Sequence, residues 1–154
     1  MEEKYHITKQ GFKKIEQDYK ALLEFKKKKT TGDEIPSSWH SEEVNPEYLS
    51  FQEDMSLLEA RLAEYEIILK NTEIIVSPPK VQRNKVYLGA KVLVEVDGEK
   101  DEFIIVGSME ANPTAGMISN ESPVGKTLMG RMKGETVVVH SSVKVAYKIL
   151  KISY

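Results

Sequence analysis

Between Thr30 and Tyr48 the chain carries Asp33, Glu34, Glu42, Glu43 and Glu47, and neither Lys nor Arg. Carboxylates gathered this way are hard oxygen donors, able to hold a divalent cation or to polarise a water. A solvated acidic turn accounts for the same residues, and residue chemistry alone favours it. Just before this stretch runs Lys26-Lys27-Lys28-Lys29. Four consecutive helical residues splay round most of a turn. They could grip a phosphate backbone through counterion release, although surface solubility is the commoner role and no aromatic neighbours are arranged for base stacking. Trp39 and His40 are adjacent. A single histidine without a partner at ligand spacing is not a site, and Trp39 is read as packing on the helices or meeting a partner surface. Gly125-Lys126-Thr127 resembles the end of a phosphate-binding loop, but position 120, where such a loop needs glycine, is Asn. His140 follows a valine run and is read as a surface or packing residue.

The acidic stretch must be held by two long helices. Phe51, Met55, Leu58, Leu62, Tyr65 and Leu69 recur at alternating steps of four and three, the a/d seam of a coiled coil. Asn45 suits the cap, Pro46 the first helical position, Glu47 the positive end of the dipole and Asn71 the stop. Such a helix spans roughly 37 Å at 1.5 Å per residue. An earlier helix is predicted to start at Thr8 and to carry Phe12, Ile15, Tyr19, Leu22 and Leu23 on one face. Neither stripe could rest in water alone, so an antiparallel two-helix coiled coil is expected over residues 1–76, with its tip at about 30–45. Ser77-Pro78-Pro79-Lys80 marks a linker at 77–82.

From residue 83 the period changes. Lys91 to Val96, then Asp97-Gly98, then Phe103 to Val106 reads as a hairpin. Thr136 to Val139 and Val143 to Leu150 read as half-buried strands. Pro123 to Met129 is predicted as a short helix, with Ser122 as cap and Gly130 as stop. The fold class expected is therefore α+β: a helical hairpin followed by a small antiparallel β domain with one short helix.

The chain has 154 residues, a formal net charge of -2 and no cysteine. Disulfides, thiolate zinc sites, iron–sulfur clusters and cysteine nucleophiles are thereby excluded. The net charge also disfavours bulk DNA binding through a whole-molecule positive field. The charge divides unevenly. Residues 1–79 hold 11 Lys/Arg against 16 Asp/Glu, and residues 80–154 hold 11 against 8, as two modules with different partners would. Met1-Glu2-Glu3-Lys4 lacks the basic and apolar regions of a signal peptide. A cytoplasmic monomer without membrane contact is expected.

The run from Ser119 to Glu135, SNESPVGKTLMGRMKGE, resembles the C-terminal signature of the bacterial Gre transcript-cleavage factors, the GreA/GreB family. Thr127 stands where the family has Ala, Gly or Ser. Thr8-Lys9-Gln10-Gly11, Asn45-Pro46-Glu47-Tyr48 and Leu88-Gly89-Ala90-Lys91-Val92 fall in family order, so the resemblance covers essentially the whole chain. It implies an FKBP-like C-terminal domain that docks on bacterial RNA polymerase through Ser119, Ser122, Pro123, Gly125 and Lys126. It also implies a finger that enters the secondary channel, with Lys26 to Lys29 near the nascent RNA 3′ end. In such a factor the chemistry belongs to the polymerase. The chain is not itself an enzyme and has no cofactor of its own; tip carboxylates help hold the polymerase's second Mg²⁺ and orient a water that cleaves backtracked RNA.

The tip departs from the family pattern. In family register, Ser41 takes the place of the Asp and Val44 that of the catalytic Glu, leaving Glu42 and Glu43 as the tip carboxylates and metal ligands. A cleavage-stimulating factor and a channel-occupying regulator without cleavage both follow from this sequence. An FKBP-like isomerase needs an aromatic-lined pocket, and the second half offers only Tyr87, Phe103, Tyr147 and Tyr154.

Overall fold

The computed structural model describes residues 3–31 and 45–154. The chain separates into two compact units, Phe12–Asn71 and a second made of Met1–Gly11 with Thr72–Tyr154.

The first unit is helical. Strand β1 (Tyr5–Ile7) precedes helix α1 (Lys9–Thr30), and helix α2 runs over Pro46–Lys70. Asn45 caps α2 by accepting a hydrogen bond from the Glu47 N–H at 3.0 Å, and Asn71 closes it. Half-buried or buried positions follow the expected seam: Phe51, Met55, Leu58, Leu62 and Tyr65 on α2, and Phe12, Ile15, Tyr19 and Leu22 on α1. At its C-terminal end the burial moves to Ile68, with Leu69 half-buried beside it. Leu23, expected on the packed face, is exposed. Tyr19 donates to Glu66, while Lys26 pairs with Glu59 and Lys29 with Asp54. Partners descend along α2 as they ascend along α1, so the two helices run antiparallel. Each fully buried Leu of such a seam contributes about 1.5–3 kcal/mol, against at most about 1 kcal/mol for an exposed ion pair. Apolar contact therefore dominates the pairing.

The second unit holds the β structure. After β2 (Thr72–Ile74) come β3 (Lys91–Val96), β4 (Glu99–Val106), β5 (Met117–Ser119), helix α3 (Pro123–Leu128), β6 (Thr136–His140) and β7 (Lys144–Ser153). Asp97 and Gly98 both take positive φ, 51° and 81°, as a two-residue hairpin requires. The five-stranded order is β5-β4-β3-β7-β6. Three of its four pairings are antiparallel, as expected, but β5 joins β4 in parallel, so the sheet is mixed. One alternate face of these strands supplies the core. Val92, Val94, Ile105, Val137 and Ile149 pack there with Val86, Ala90 and Leu128.

The expected boundaries, 1–76 for the helices and 77–82 for a linker, differ from these units. Residues 1–11 and 72–76 join the β unit because β1 pairs in parallel with β2 and Ile7 is completely buried. Ile75 N–H extends that ladder to the Ile7 carbonyl at 2.8 Å. Gly107 is buried against the same strand, where any Cβ would run into the His6 carbonyl. Glu110 then fixes the start of α1. Its carboxylate accepts from the Thr8 N–H and the Thr8 hydroxyl, and that hydroxyl accepts from the Gly11 N–H at 3.0 Å. Thr8 is thus the expected cap, held by an acid 102 positions away. At the other end of the unit, Tyr154 donates its hydroxyl to the Lys85 carbonyl at 2.6 Å and accepts from the Tyr87 N–H at 2.9 Å.

Removing a charge-assisted acceptor from two donors costs about 1–3 kcal/mol. Glu110→Ala is accordingly expected to lower the urea midpoint followed by circular dichroism; an unchanged midpoint would show that the contact is idle. A second expectation concerns alkali. The Glu66 hydrogen bond, with desolvation second, raises the Tyr19 phenol above its ordinary 10.0, and burial raises Tyr154 above the same value. Both phenols hold their protons longer when folded than when unfolded. Their stabilisation is therefore complete below about pH 10 and is lost as the pH rises through the higher folded values. Titration of tyrosinate absorbance should show two late-ionising groups, one missing in Tyr19→Phe and the other in Tyr154→Phe.

Candidate functional site

Two groups of side chains were singled out by the sequence, and they lie in different units. Glu42 and Glu43, with Ser41, Val44, Asp33, Glu34, Trp39 and His40, fall outside the described residues. What the structure describes is the helical frame on either side: α1 ends at Thr30 and α2 starts at Pro46.

The four lysines next to that segment divide by helix phase. Positions 12, 15, 19, 22, 26 and 29 form one seam, so Lys26 and Lys29 turn toward α2. There they meet Glu59 at 3.2 Å and Asp54 at 3.7 Å. Lys29 also lies over the Phe25 ring, 5.2 Å from its centroid. Lys27 and Lys28 are exposed and make no ion pair among the described residues. Of the four expected RNA-contacting lysines, two are thus engaged in the helix pair and two face outward.

The second group sits where β5 turns into α3. Ser122 caps α3: its Oγ accepts from the Gly125 N–H at 3.0 Å and donates to the Ser119 carbonyl at 2.7 Å. Ser119 Oγ accepts from the Glu121 N–H at 3.0 Å. Pro123 occupies the first helical position, where its missing N–H costs nothing. Gly125 is buried, and an added Cβ there would strike the Ser119 carbonyl. Thr127 returns its hydroxyl to the Pro123 carbonyl at 2.7 Å. The sequence treated Ser119, Ser122 and Gly125 as docking residues together with Pro123 and Lys126. The structure brings all five together, with distinct jobs: the two hydroxyls and the glycine build the turn, and Pro123 and Lys126 are exposed on its outside. Gly125-Lys126-Thr127 lies within α3, so its backbone N–H groups are committed to the helix rather than to a loop that could cradle phosphate.

His140 ends β6 exposed, in alternation with buried Val137 and Val139. Among the described residues no three His, Asp or Glu side chains gather as metal ligands. No helix among them is long and apolar enough to cross a membrane. Glu110 was missed as a structural residue; it ends a 3-10 turn, Ser108–Glu110, too short to show any periodicity, and only its contact with Thr8 reveals it.

Comparison with known proteins reaches across both units. Residues 81–154 match the family model described as "Transcription elongation factor, GreA/GreB, C-term". The transcription elongation factor GreA of Clostridium acetobutylicum is 38% identical over 155 residues, covering 98% of each chain. That of Thermomicrobium roseum is 35% identical over 140 residues, covering 90% of each. The crystal structure of GreA factor homolog 1 of Thermus thermophilus aligns with 99% of this chain and 100% of its own at 23% identity, with a TM-score of 0.43. Relatives above 30% identity thus span both the helical and the β unit, and the chain belongs to the GreA/GreB family of transcription elongation factors.

Proposed function

We propose that this factor binds bacterial RNA polymerase at its secondary channel through the β unit, and that the helix pair carries the acidic segment to the catalytic centre, where the polymerase cleaves backtracked RNA. The observation that supports it most is the segment's placement in the chain. In the sequence Glu42 and Glu43 lie between α1 and α2, which Lys29, near the end of α1, and Asp54, two turns into α2, join at 3.7 Å. A slim pair of helices suits a narrow channel that would exclude a globular domain. Holding a carboxylate near its target replaces a costly encounter by a prepaid one.

The factor is not an enzyme in this reading. Carboxylate oxygens suit Mg²⁺, and Glu42 and Glu43 are the residues that would share the polymerase's second Mg²⁺, which supplies the Lewis acid for hydrolysis. The chain's contribution is position and charge. Lys27 and Lys28, facing outward beside the segment, are placed to meet phosphates of the RNA 3′ end.

A second reading rests on its own observation. Ser41 and Val44 stand where the family carries Asp and Glu, and neither can bind a cation as a carboxylate does. A factor with this tip would occupy the channel and modulate or inhibit transcription without stimulating cleavage.

Arrested elongation complexes separate the two. If cleavage is stimulated, Glu42→Ala/Glu43→Ala should slow RNA release by about tenfold or more, the scale on which outer metal partners act, while still competing with an authentic Gre factor for polymerase. If wild type releases no fragments yet competes, the regulator reading holds, and Ser41→Asp/Val44→Glu should introduce cleavage. Absence of both cleavage and competition would remove polymerase binding altogether.

A further inference from the structure

Two segments of the β unit that lie side by side hold six cations and no carboxylate. Residues 78–87 contain Lys80, Arg83 and Lys85, and residues 124–134 contain Lys126, Arg131 and Lys133. They meet as a short antiparallel ladder. Lys85 opposes Met132, the Val86 N–H donates to the Arg131 carbonyl at 2.9 Å, and the Gly130 N–H donates to the Val86 carbonyl at 2.7 Å. Side chains directly opposite in such a pair stand on the same side, so Lys85 and Met132 are neighbours. Both segments are internally fixed. Arg83 Nε donates to the Pro78 carbonyl at 3.0 Å, Arg83 N–H closes on the Lys80 carbonyl at 3.3 Å, and Arg131 Nε reaches back to the Thr127 carbonyl at 3.4 Å.

None of the six makes an ion pair among the described residues, although Lys4, Lys26, Lys29 and Lys91 all do. The adjacent acid, Glu135, spends its carboxylate on the Met132 N–H. Like charges on adjoining segments repel one another, and no ion pair among the described residues offsets them here. Val81 and Met132 lie among them, 85% and 42% exposed.

We propose that this face, formed by residues 80–85 and 131–133 with Lys126 at its border, docks on an acidic, partly apolar protein surface of RNA polymerase. The inference rests on the polymerase-binding reading above and supplies the chemistry of the surface bound. Uncompensated cations steer and orient an acidic partner, and the exposed Val81 and Met132 supply apolar contact. A nucleic acid fits less well, since the one aromatic ring in either segment, Tyr87, is half-buried and offers no stacking platform.

The test measures binding of labelled full-length protein to purified bacterial core RNA polymerase across a range of salt. Wild type is compared with Lys80→Glu/Lys85→Glu/Lys133→Glu, with the same three sites changed to Gln, and with a control of equal charge change on β7, Lys144→Glu/Lys148→Glu/Lys151→Glu. Affinity should fall by about 10- to 100-fold for the Glu triple, less for the Gln triple and about threefold at most for the control, with the gap narrowing as salt screens the charges. Thermal melting reports folding; if the Glu triple is unfolded, the Gln triple decides. Wild-type binding that both triples reduce no more than the control overturns the docking face but leaves polymerase binding intact. No wild-type binding overturns both. If the triples keep polymerase affinity and lose binding to a labelled single-stranded RNA, the face belongs to nucleic acid and the proposal fails.

Discussion

The helical unit depends on one geometric constraint: an apolar repeat of 3.5 residues can be buried only against a second helix with the same repeat. Once Phe12, Ile15, Tyr19 and Leu22 commit α1 to its partner, positions 26 and 29 must face α2 whatever their chemistry. Both are lysine. Two half-buried cations without partners would oppose the pairing, and Glu59 and Asp54 stand where they are needed. The same phase throws Lys27 and Lys28 outward. A run that looks uniform in the sequence thus becomes two structural residues and two available ones, and helix geometry alone makes the choice. The apolar seam carries the stability, and the two ion pairs match the antiparallel register it sets.

The β unit is organised by contacts between residues far apart in the chain. Ile7 is completely buried, yet it belongs to a strand of three residues. Gly107 lets that strand approach, and Glu110 captures Thr8 just beyond it. The turn into α3 follows similar logic on a smaller scale. Its serines and Gly125 are consumed in shaping the backbone, which is why Pro123 and Lys126 can be presented in a fixed place. Residues that look functional by type can thus be structural in use, with their neighbours left exposed on the outside of the turn.

Local physics made much of this legible. The caps at Thr8, Asn45 and Ser122, the 3.5-residue seam, the Asp97-Gly98 turn and the short α3 each depend on residues within a few positions of one another, and each stands where the sequence puts it. β1 and β2 escaped notice because three-residue strands have no usable periodicity, and their partners lie 67 positions apart, Tyr5 against Thr72. The parallel join of β5 to β4 was hidden for the same reason. In the candidate site, the cap role of Ser122 could be read from its position before Pro123, but the basic face could not. Lys85 and Met132 become neighbours only when a ladder joins segments 47 residues apart. Nor do Glu42 and Glu43 announce a role by composition, since a solvated turn would contain the same residues; only the family resemblance gives them one.

The two units treat charge in opposite ways. In the helical unit, the lysines that face the partner helix are matched by carboxylates from the same chain, so the pair is electrostatically closed along its seam. In the β unit, six cations on adjoining segments make no ion pair among the described residues, while Glu135 and Glu110 are spent on backbone N–H groups. Solubility alone would be served as well by mixed signs. A single-sign face fixed by its own backbone hydrogen bonds costs self-repulsion and returns it only when an opposite surface arrives. If the proposed docking holds, such an arrangement orients the β unit on its partner before close contact is made.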